Sequence, residues 1–304
     1  MPDELSVYQV PDDAPAKTEA MGTKPKFWFS RDEAMWLFKA TRPGQGENWA
    51  EVVAAGLAQM LGLPHAHYEL ARWRDSTGIV TPRFTPDGFD LVHGNELLAE
   101  RDPNYPRAGA RYVRTREHTI DTVRAVIADQ RVGLPIGWAP PASIETAADV
   151  FGGYLLLDAW IANTDRHHEN WGLVVNIGRD ERHLAPTFDH ASSLGAHEPD
   201  NQRAKRLESP DPAFRVEGYV QRPRVRSALY GAAGDARPLG LIEAFKAWAA
   251  HARCNAWLER LASVRENAVS ELLDRLPSLD VSGPARAFAQ AILAVNRRRI
   301  LEAR

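Results

Sequence analysis

The stretch Asn163-Thr164-Asp165-Arg166-His167-His168-Glu169-Asn170, with Phe188-Asp189 nineteen residues beyond Asn170, decides how the rest of the chain is read. An Asp, an Asn five residues later and a further Asp set out the polar parts of a phosphotransferase site. Phosphoryl transfer needs little covalent help from the protein, so catalysis reduces to placing a nucleophile and neutralising phosphate charge. In that chemistry Asp165 accepts the substrate hydroxyl proton, and Asn170 and Asp189 are the Mg²⁺ ligands. The same residue types also serve as plain caps and turn formers, so the surroundings have to decide. Upstream, residues 148–162 carry Phe151, Tyr154, Leu155, Leu157 and Ile161 at helical spacing, which predicts a buried helix delivering Asp165 on a loop. Downstream, the apolar run 172–175, a turn at 178–180 and a second run at 184–188 predict a β-hairpin flanked by Asn170 and Asp189.

Such a site needs an upstream cation for nucleotide phosphates, on a strand, with a carboxylate to orient it. Lys39 closes the apolar run Met35-Trp36-Leu37-Phe38, where an unpaired ammonium is costly. Residues 49–61 place Val53, Leu57 and Leu61 on one helical face and stop at Gly62 with Pro64 beyond, a helix with a glycine C-cap. Glu51, in its first turn, is the expected partner of Lys39, with Asp189 the alternative partner when no metal is bound. Before the strand lies Met21-Gly22-Thr23-Lys24-Pro25-Lys26. It matches neither a glycine-rich kinase loop nor a P-loop, yet its backbone N–H groups and lysines suit phosphate.

These pieces resemble the HipA-like serine/threonine kinases, the toxin-type kinases of bacterial toxin–antitoxin systems. The matching segments are GTKPK at 22–26, WLFK at 36–39, Glu51 ahead of LAQMLGLP at 57–64, IANTDRHHEN at 161–170 and PTFDHASSLG at 186–195. They occur in order and span most of residues 20–300. The resemblance implies an α+β, protein-kinase-like fold of two lobes, a small strand-rich N-lobe and a larger helical C-lobe, using ATP and Mg²⁺. It implies Asp165 as catalytic base, Asn170 and Asp189 as metal ligands, Lys39 with Glu51 as the phosphate-binding pair, and Gly22, Thr23, Lys24 and Lys26 in the phosphate loop. A protein substrate bearing a Ser/Thr hydroxyl and an antitoxin partner are the implied partners. Two departures stand out. Only about twenty residues precede the loop, so the N-terminal subdomain of longer members is not expected. Glu19 also occupies the place where several members carry a serine whose autophosphorylation ejects the loop.

Composition agrees with a soluble enzyme and excludes other classes. The chain has 304 residues, 44% hydrophobic and 25% charged, enough for two lobes with real cores. A net charge of −3 gives no general nucleic-acid signature, and the single cysteine, Cys254, points to the cytoplasm. No signal peptide or bilayer-length apolar run is present. Residues 1–18 are expected to form a flexible tail, 19–100 the N-lobe and 101–304 the C-lobe. Residues 101–118 are expected to be an exposed connection, and the charged segment 195–212 a mobile activation segment. Strands are expected at 67–74 and 78–84, and helices at 239–252, 256–262, 266–276 and 284–301. His167, His168 and His190 lack zinc-type spacing. The same polar set would also serve a lipid or small-molecule kinase, or a kinase-fold module that holds nucleotide without turnover.

Overall fold

A computed structural model describes residues 3–14, 17–18, 25–106 and 115–303. In chain order the first elements are β1 (Val7–Gln9), β2 (Lys17–Thr18), β3 (Lys26–Arg31), β4 (Ala34–Ala40), α1 (Glu47–Leu61), β5 (Glu69–Trp73) and β6 (Ser76–Pro82). Their strands form one sheet in the order β1-β5-β6-β4-β3-β2. The β3–β4 hairpin turns on Asp32 and Glu33, both at positive φ (50° and 62°), as a tight two-residue turn requires. Alternation then sorts the side chains. Phe27, Phe29, Phe38 and Val80 pack together on one face of the sheet. Lys39 lies on the other, directly opposite Ile79 of β6 and Lys26 of β3. α1 packs on that second face and ends at Gly62, whose φ of 72° provides the left-handed cap.

The remainder comprises β7 (Asp90–His93), α2 (Gly94–Arg101), α3 (Ile120–Ile127), β8 (Val132–Gly133), α4 (Ala147–Ile161), β9 (Gly172–Asn176) and β10 (Glu181–Leu184). Then come α5 (Asp200–Glu208), α6 (Val216–Gln221), α7 (Leu241–Ala249), α8 (Asn255–Ser263), α9 (Glu266–Asp274) and α10 (Gly283–Glu302). β7-β9-β10-β8 form a second sheet. α4 is buried on every side, so its apolar residues encircle it instead of forming a stripe. Thr146 and Asp149 cap its start reciprocally, side chain to backbone N–H at 3.1 and 3.0 Å. Indole N–H groups hold it to its neighbours: Trp248 and Trp257 donate to the carbonyls of Ala148 and Asp149 (both 2.8 Å), and Trp160 donates to Leu293 (3.2 Å).

The α+β, kinase-like architecture is as expected, with five local corrections. The segment 1–18 is not a free tail: β1 pairs in parallel with β5 through Val7, Tyr8 and Gln9, and β2 pairs with β3. Pro/Asp-rich composition concealed strands of two and three residues. The two sheets divide between Pro82 and Asp90 instead of at residue 100, because β7 pairs with β9. Residues 101–118 contribute buried Tyr105, Thr115 and His118, so the described part of that connection packs into the protein. Segment 195–212 carries α5, packed on α10. The hairpin's second strand also comes earlier than the run at 184–188, since Pro186 cannot donate to a ladder.

Gly153 marks a close approach of α4 to its surroundings. A Cβ there would lie 2.8 Å from the Trp257 ring and press on Leu63. Gly153→Val is therefore expected to cost about 1–3 kcal/mol by overpacking, seen as a lower urea midpoint with unchanged slope. An unaltered midpoint would mean that the helices are not this close.

Candidate active site

α4 ends at Ala162 in the left-handed region (φ 55°), which turns the chain into the loop 163–170. The loop is organised around Arg166, whose side chain is only 1% exposed. Its Nε and Nη2 meet the two Asp158 oxygens at 2.8 Å each, Asp158 standing one turn before the end of α4. Nη1 donates to the Asn170 carbonyl at 2.8 Å, and Nη2 also reaches Thr187 Oγ1 at 2.9 Å. Asn163 closes the ring, donating to Asp158 (2.8 Å) while its own oxygen accepts the Asp165 N–H (3.1 Å). A guanidinium presents five donors in a fixed plane. Both ends of the loop and the strand entering Phe188-Asp189 are thereby tied to one rigid group.

Asp165 projects from this frame with about a third of its side chain exposed (36%). Its Oδ2 lies 3.9 Å from His167 Nε2 and 3.5 Å from the Ser192 hydroxyl. Asn170 is buried, and its amide donates to the Asp165 carbonyl at 2.7 Å, which leaves the amide oxygen as its acceptor group. Beneath the loop His168 receives Tyr105 at 2.8 Å. Trp171 donates to His118 Nε2 at 3.0 Å, so His118 carries its proton on Nδ1, facing the Ala228 carbonyl. Burial pushes the His118 pKa down to about 3.

Asp189 sits at φ 59°, rare for a residue with a side chain. Its N–H donates to the Tyr68 hydroxyl at 3.2 Å. Its carboxylate takes Lys39 Nζ at 2.9 Å, across 150 residues of chain. The sequence assigned Lys39 to Glu51, and here the structure differs. Glu51 is buried and accepts the His190 N–H at 2.7 Å, with His190 Nδ1 at 3.3 Å. The physical reason is position: the inward face of α1 brings Glu51 to the backbone following Asp189, whereas Asp189 is the carboxylate that meets the end of β4. Burial works against charge on Lys39, but Asp189 first and Glu51 after it outweigh this and raise its pKa. Burial likewise works against the Asp189 carboxylate, and Lys39 overcomes it, holding the pKa at about 2.

Lys26, in register beside Lys39, extends the positive edge of the cleft. Gly22, Thr23, Lys24 and Glu19 lie outside the described residues. Among those described, no group of three or more His, Cys, Asp or Glu side chains is arranged to hold a metal by itself. A carboxylate at 189 and an amide oxygen at 170 are hard oxygen donors, which fits Mg²⁺ completed by water and phosphate oxygens. Asp158, Arg166, Thr187 and Tyr68 were not singled out from sequence, and His190 was weighed there only as a zinc ligand. The signal for Asp158 was there: an acid within an otherwise apolar helix must find a partner.

A strand-rich lobe bearing a lysine, set against a helical lobe bearing the Asp165 loop and Asp189, defines a kinase-like protein. Two solved structures share this fold. The proinflammatory kinase CtkA of Helicobacter pylori aligns with a TM-score of 0.71 and 18% identity over 95% of this chain and 93% of that one. HipA of Shewanella oneidensis MR-1, seen in a complex with HipB and operator DNA, aligns with a TM-score of 0.57 and 15% identity over 93% and 67%. No protein-family model and no curated protein matches the chain. The HipA-like kinase fold expected from the motifs is thus the fold that the chain adopts.

Two outcomes test the electrostatics. Arg166→Met leaves Asp158 buried and uncompensated and should cost about 3–5 kcal/mol, measured by urea unfolding, with Asp158→Leu in the same chain recovering part of the loss. The Lys39–Asp189 pair depends on pH in a defined direction. The depressed Asp189 pKa contributes stability above about pH 4 that is lost as pH falls toward 2, and the raised Lys39 pKa contributes stability below about pH 10 that is lost above it. The gap in thermal midpoint between wild type and Lys39→Met should therefore be widest near neutrality and close toward pH 2. A gap independent of pH would show that the pair adds no charge-dependent stability.

Proposed function

We propose that the protein is an ATP- and Mg²⁺-dependent protein serine/threonine kinase. The observation that carries this reading is the Lys39–Asp189 contact at 2.9 Å, on a segment tied to the Asp165 loop by Arg166 to Thr187 at 2.9 Å and by the Ser192 hydroxyl to Asp165 at 3.5 Å. On this reading Asp165 orients the acceptor hydroxyl and takes its proton. Asn170, held by its hydrogen bond to the Asp165 carbonyl, and Asp189, held by Tyr68, offer oxygens to the cation. Bound Mg²⁺ supplies charge neutralisation at the phosphates. Lys39 and Lys26, side by side on the sheet, supply further positive charge at the phosphate end. The fold shared with HipA, whose structure includes HipB, supports an antitoxin-type protein as a partner. No described helix is long and apolar enough to cross a membrane, and a lone cysteine suits a reducing cytoplasm.

Asp165→Asn keeps the side chain's shape while deleting the proton acceptor, so it should lower turnover at least a hundredfold (~10²) and preserve the thermal shift given by Mg-ATP. Activity within tenfold of wild type would remove Asp165 from the mechanism. Asp189→Ala should instead weaken nucleotide binding in the presence of magnesium, read by calorimetry. With γ-labelled ATP and cell lysate, label on a protein band supports the protein kinase. Label on lipid or small metabolites favours those substrates, and absence of label favours a nucleotide-binding module.

A further inference from the structure

Both titratable nitrogens of the His190 ring are engaged, and the ring is almost wholly buried (1% exposed). Nε2 lies 3.1 Å from Arg166 Nη2 and 2.8 Å from Thr187 Oγ1. A guanidinium only donates, so Nε2 is an acceptor and the ring proton of the neutral imidazole sits on Nδ1, which faces Glu51 Oε1 at 3.3 Å. Thr187 fits the same polarity, accepting from Arg166 at 2.9 Å and donating to Nε2. The Glu51 oxygen that faces Nδ1 also takes the His190 backbone N–H at 2.7 Å.

These contacts bear on Asp189. Its left-handed backbone is sparsely populated for any residue but glycine, and persists where the surroundings over-determine it. Here the N–H of Asp189 is held by Tyr68 and the next N–H by Glu51, so two successive peptide groups are fixed by side chains from the other lobe. Lys39 touches the Asp189 carboxylate, while Glu51 touches the backbone that aims it.

We propose that Glu51 and His190 are positioning residues for the Asp189 carboxylate, joining α1 to the Asp189 turn and, through Thr187 and Arg166, to the Asp165 loop. The proposal rests on the reading of Asp189 as a metal ligand. It assigns Glu51 a role different from that of lysine partner: displacement of α1 is transmitted to Asp189 directly through the backbone, and Lys39 is not the link.

The test is a pair of double-mutant cycles read by calorimetric titration of ATP across magnesium concentrations. Groups that orient a metal-binding side chain typically matter by about 10–100-fold in metal affinity. Glu51→Leu and His190→Leu should therefore each raise the magnesium concentration for half-maximal ATP binding about tenfold. Combined, they should have little more effect than either alone, because both remove one connection. Glu51→Leu with Lys39→Met should show effects that multiply. His190→Asn, which retains a short donor near the Nδ1 position, should recover most of the loss. If His190→Leu fails to fold, Glu51→Leu and His190→Asn carry the comparison, with folding checked by near-ultraviolet circular dichroism. The proposal is overturned if Glu51→Leu leaves the magnesium dependence unchanged. It is equally overturned if Glu51→Leu becomes silent in the Lys39→Met background, which would make Glu51 a lysine partner after all. Absence of ATP binding by the wild-type protein would overturn the kinase reading itself, a result distinct from normal wild-type binding with unshifted variants.

Discussion

A buried guanidinium has to place its five N–H groups, and at Arg166 that requirement sets the geometry on which the cleft depends. Asp158 neutralises the charge from within α4, Nη1 reaches the Asn170 carbonyl, and Nη2, which also meets Asp158, stands within reach of Thr187 and His190. Each acceptor belongs to a different part of the cleft: the helix that delivers the loop, the loop's far end, and the strand that leads to Asp189. A buried ion pair is weak evidence for net stability, since desolvation offsets much of its Coulomb gain. Its directional value is larger, because a planar fork with fixed partners permits one arrangement of the three segments. Asp165 and Asn170 are thus set in relation to Asp189 before any substrate interaction is considered.

The N-lobe meets this frame at two places of different character. At the first, the chain leaving α1 lies along the strand entering Phe188: Thr187 N–H donates to the Pro64 carbonyl, and Ala66 N–H donates to the Thr187 carbonyl, both at 2.9 Å. At the second, Glu51, Tyr68 and Lys39 all converge on Asp189 and His190. The first contact is made of backbone and is insensitive to side-chain identity. The second is made of charge and directional hydrogen bonds. A divalent cation at Asp189 would compete with the Lys39 ammonium for the same carboxylate oxygen. On the proposed reading of Asp189 as a metal ligand, cation binding and lysine position would be linked, and a ligand that draws Lys39 toward phosphate oxygens would release Asp189 for the cation.

Much of this was legible from the chain. Helix α4, the glycine-capped α1, the strand bearing Lys39 and the helices of the C-terminal third follow from periodicity and punctuation, because each is long and strongly patterned. Asp165, Asn170 and Asp189 follow from spacing. The elements that escaped are short or depend on tertiary pairing: β1 and β2 have too few residues to show a period, and β10 ends where Pro186 removes a donor. The choice between Glu51 and Asp189 as the Lys39 partner stayed open for another reason. Sequence proximity favoured Glu51, twelve residues away, over Asp189, 150 residues away, and nothing in a linear pattern says which carboxylate a strand end will face. Arg166 and His190 lay within the quoted motifs, but their importance comes from burial, which the motif alone does not reveal.

The histidines around the loop show why burial matters to the charge pattern. His118 and His168 lie under the loop with ring centroids 6.0 Å apart, where cationic forms would repel each other. Burial pushes the pKa of His118 down to about 3 and lowers that of His168 as well. His118, bonded to Trp171 and the Ala228 carbonyl, is therefore neutral at any physiological pH and acts by shape and hydrogen bonding. His190 is likewise held by Arg166, Thr187 and Glu51, and His168 Nδ1 by Tyr105, whereas the amide oxygen of Asn170 and the carboxylate of Asp189 are hard oxygen donors of the kind a divalent cation prefers.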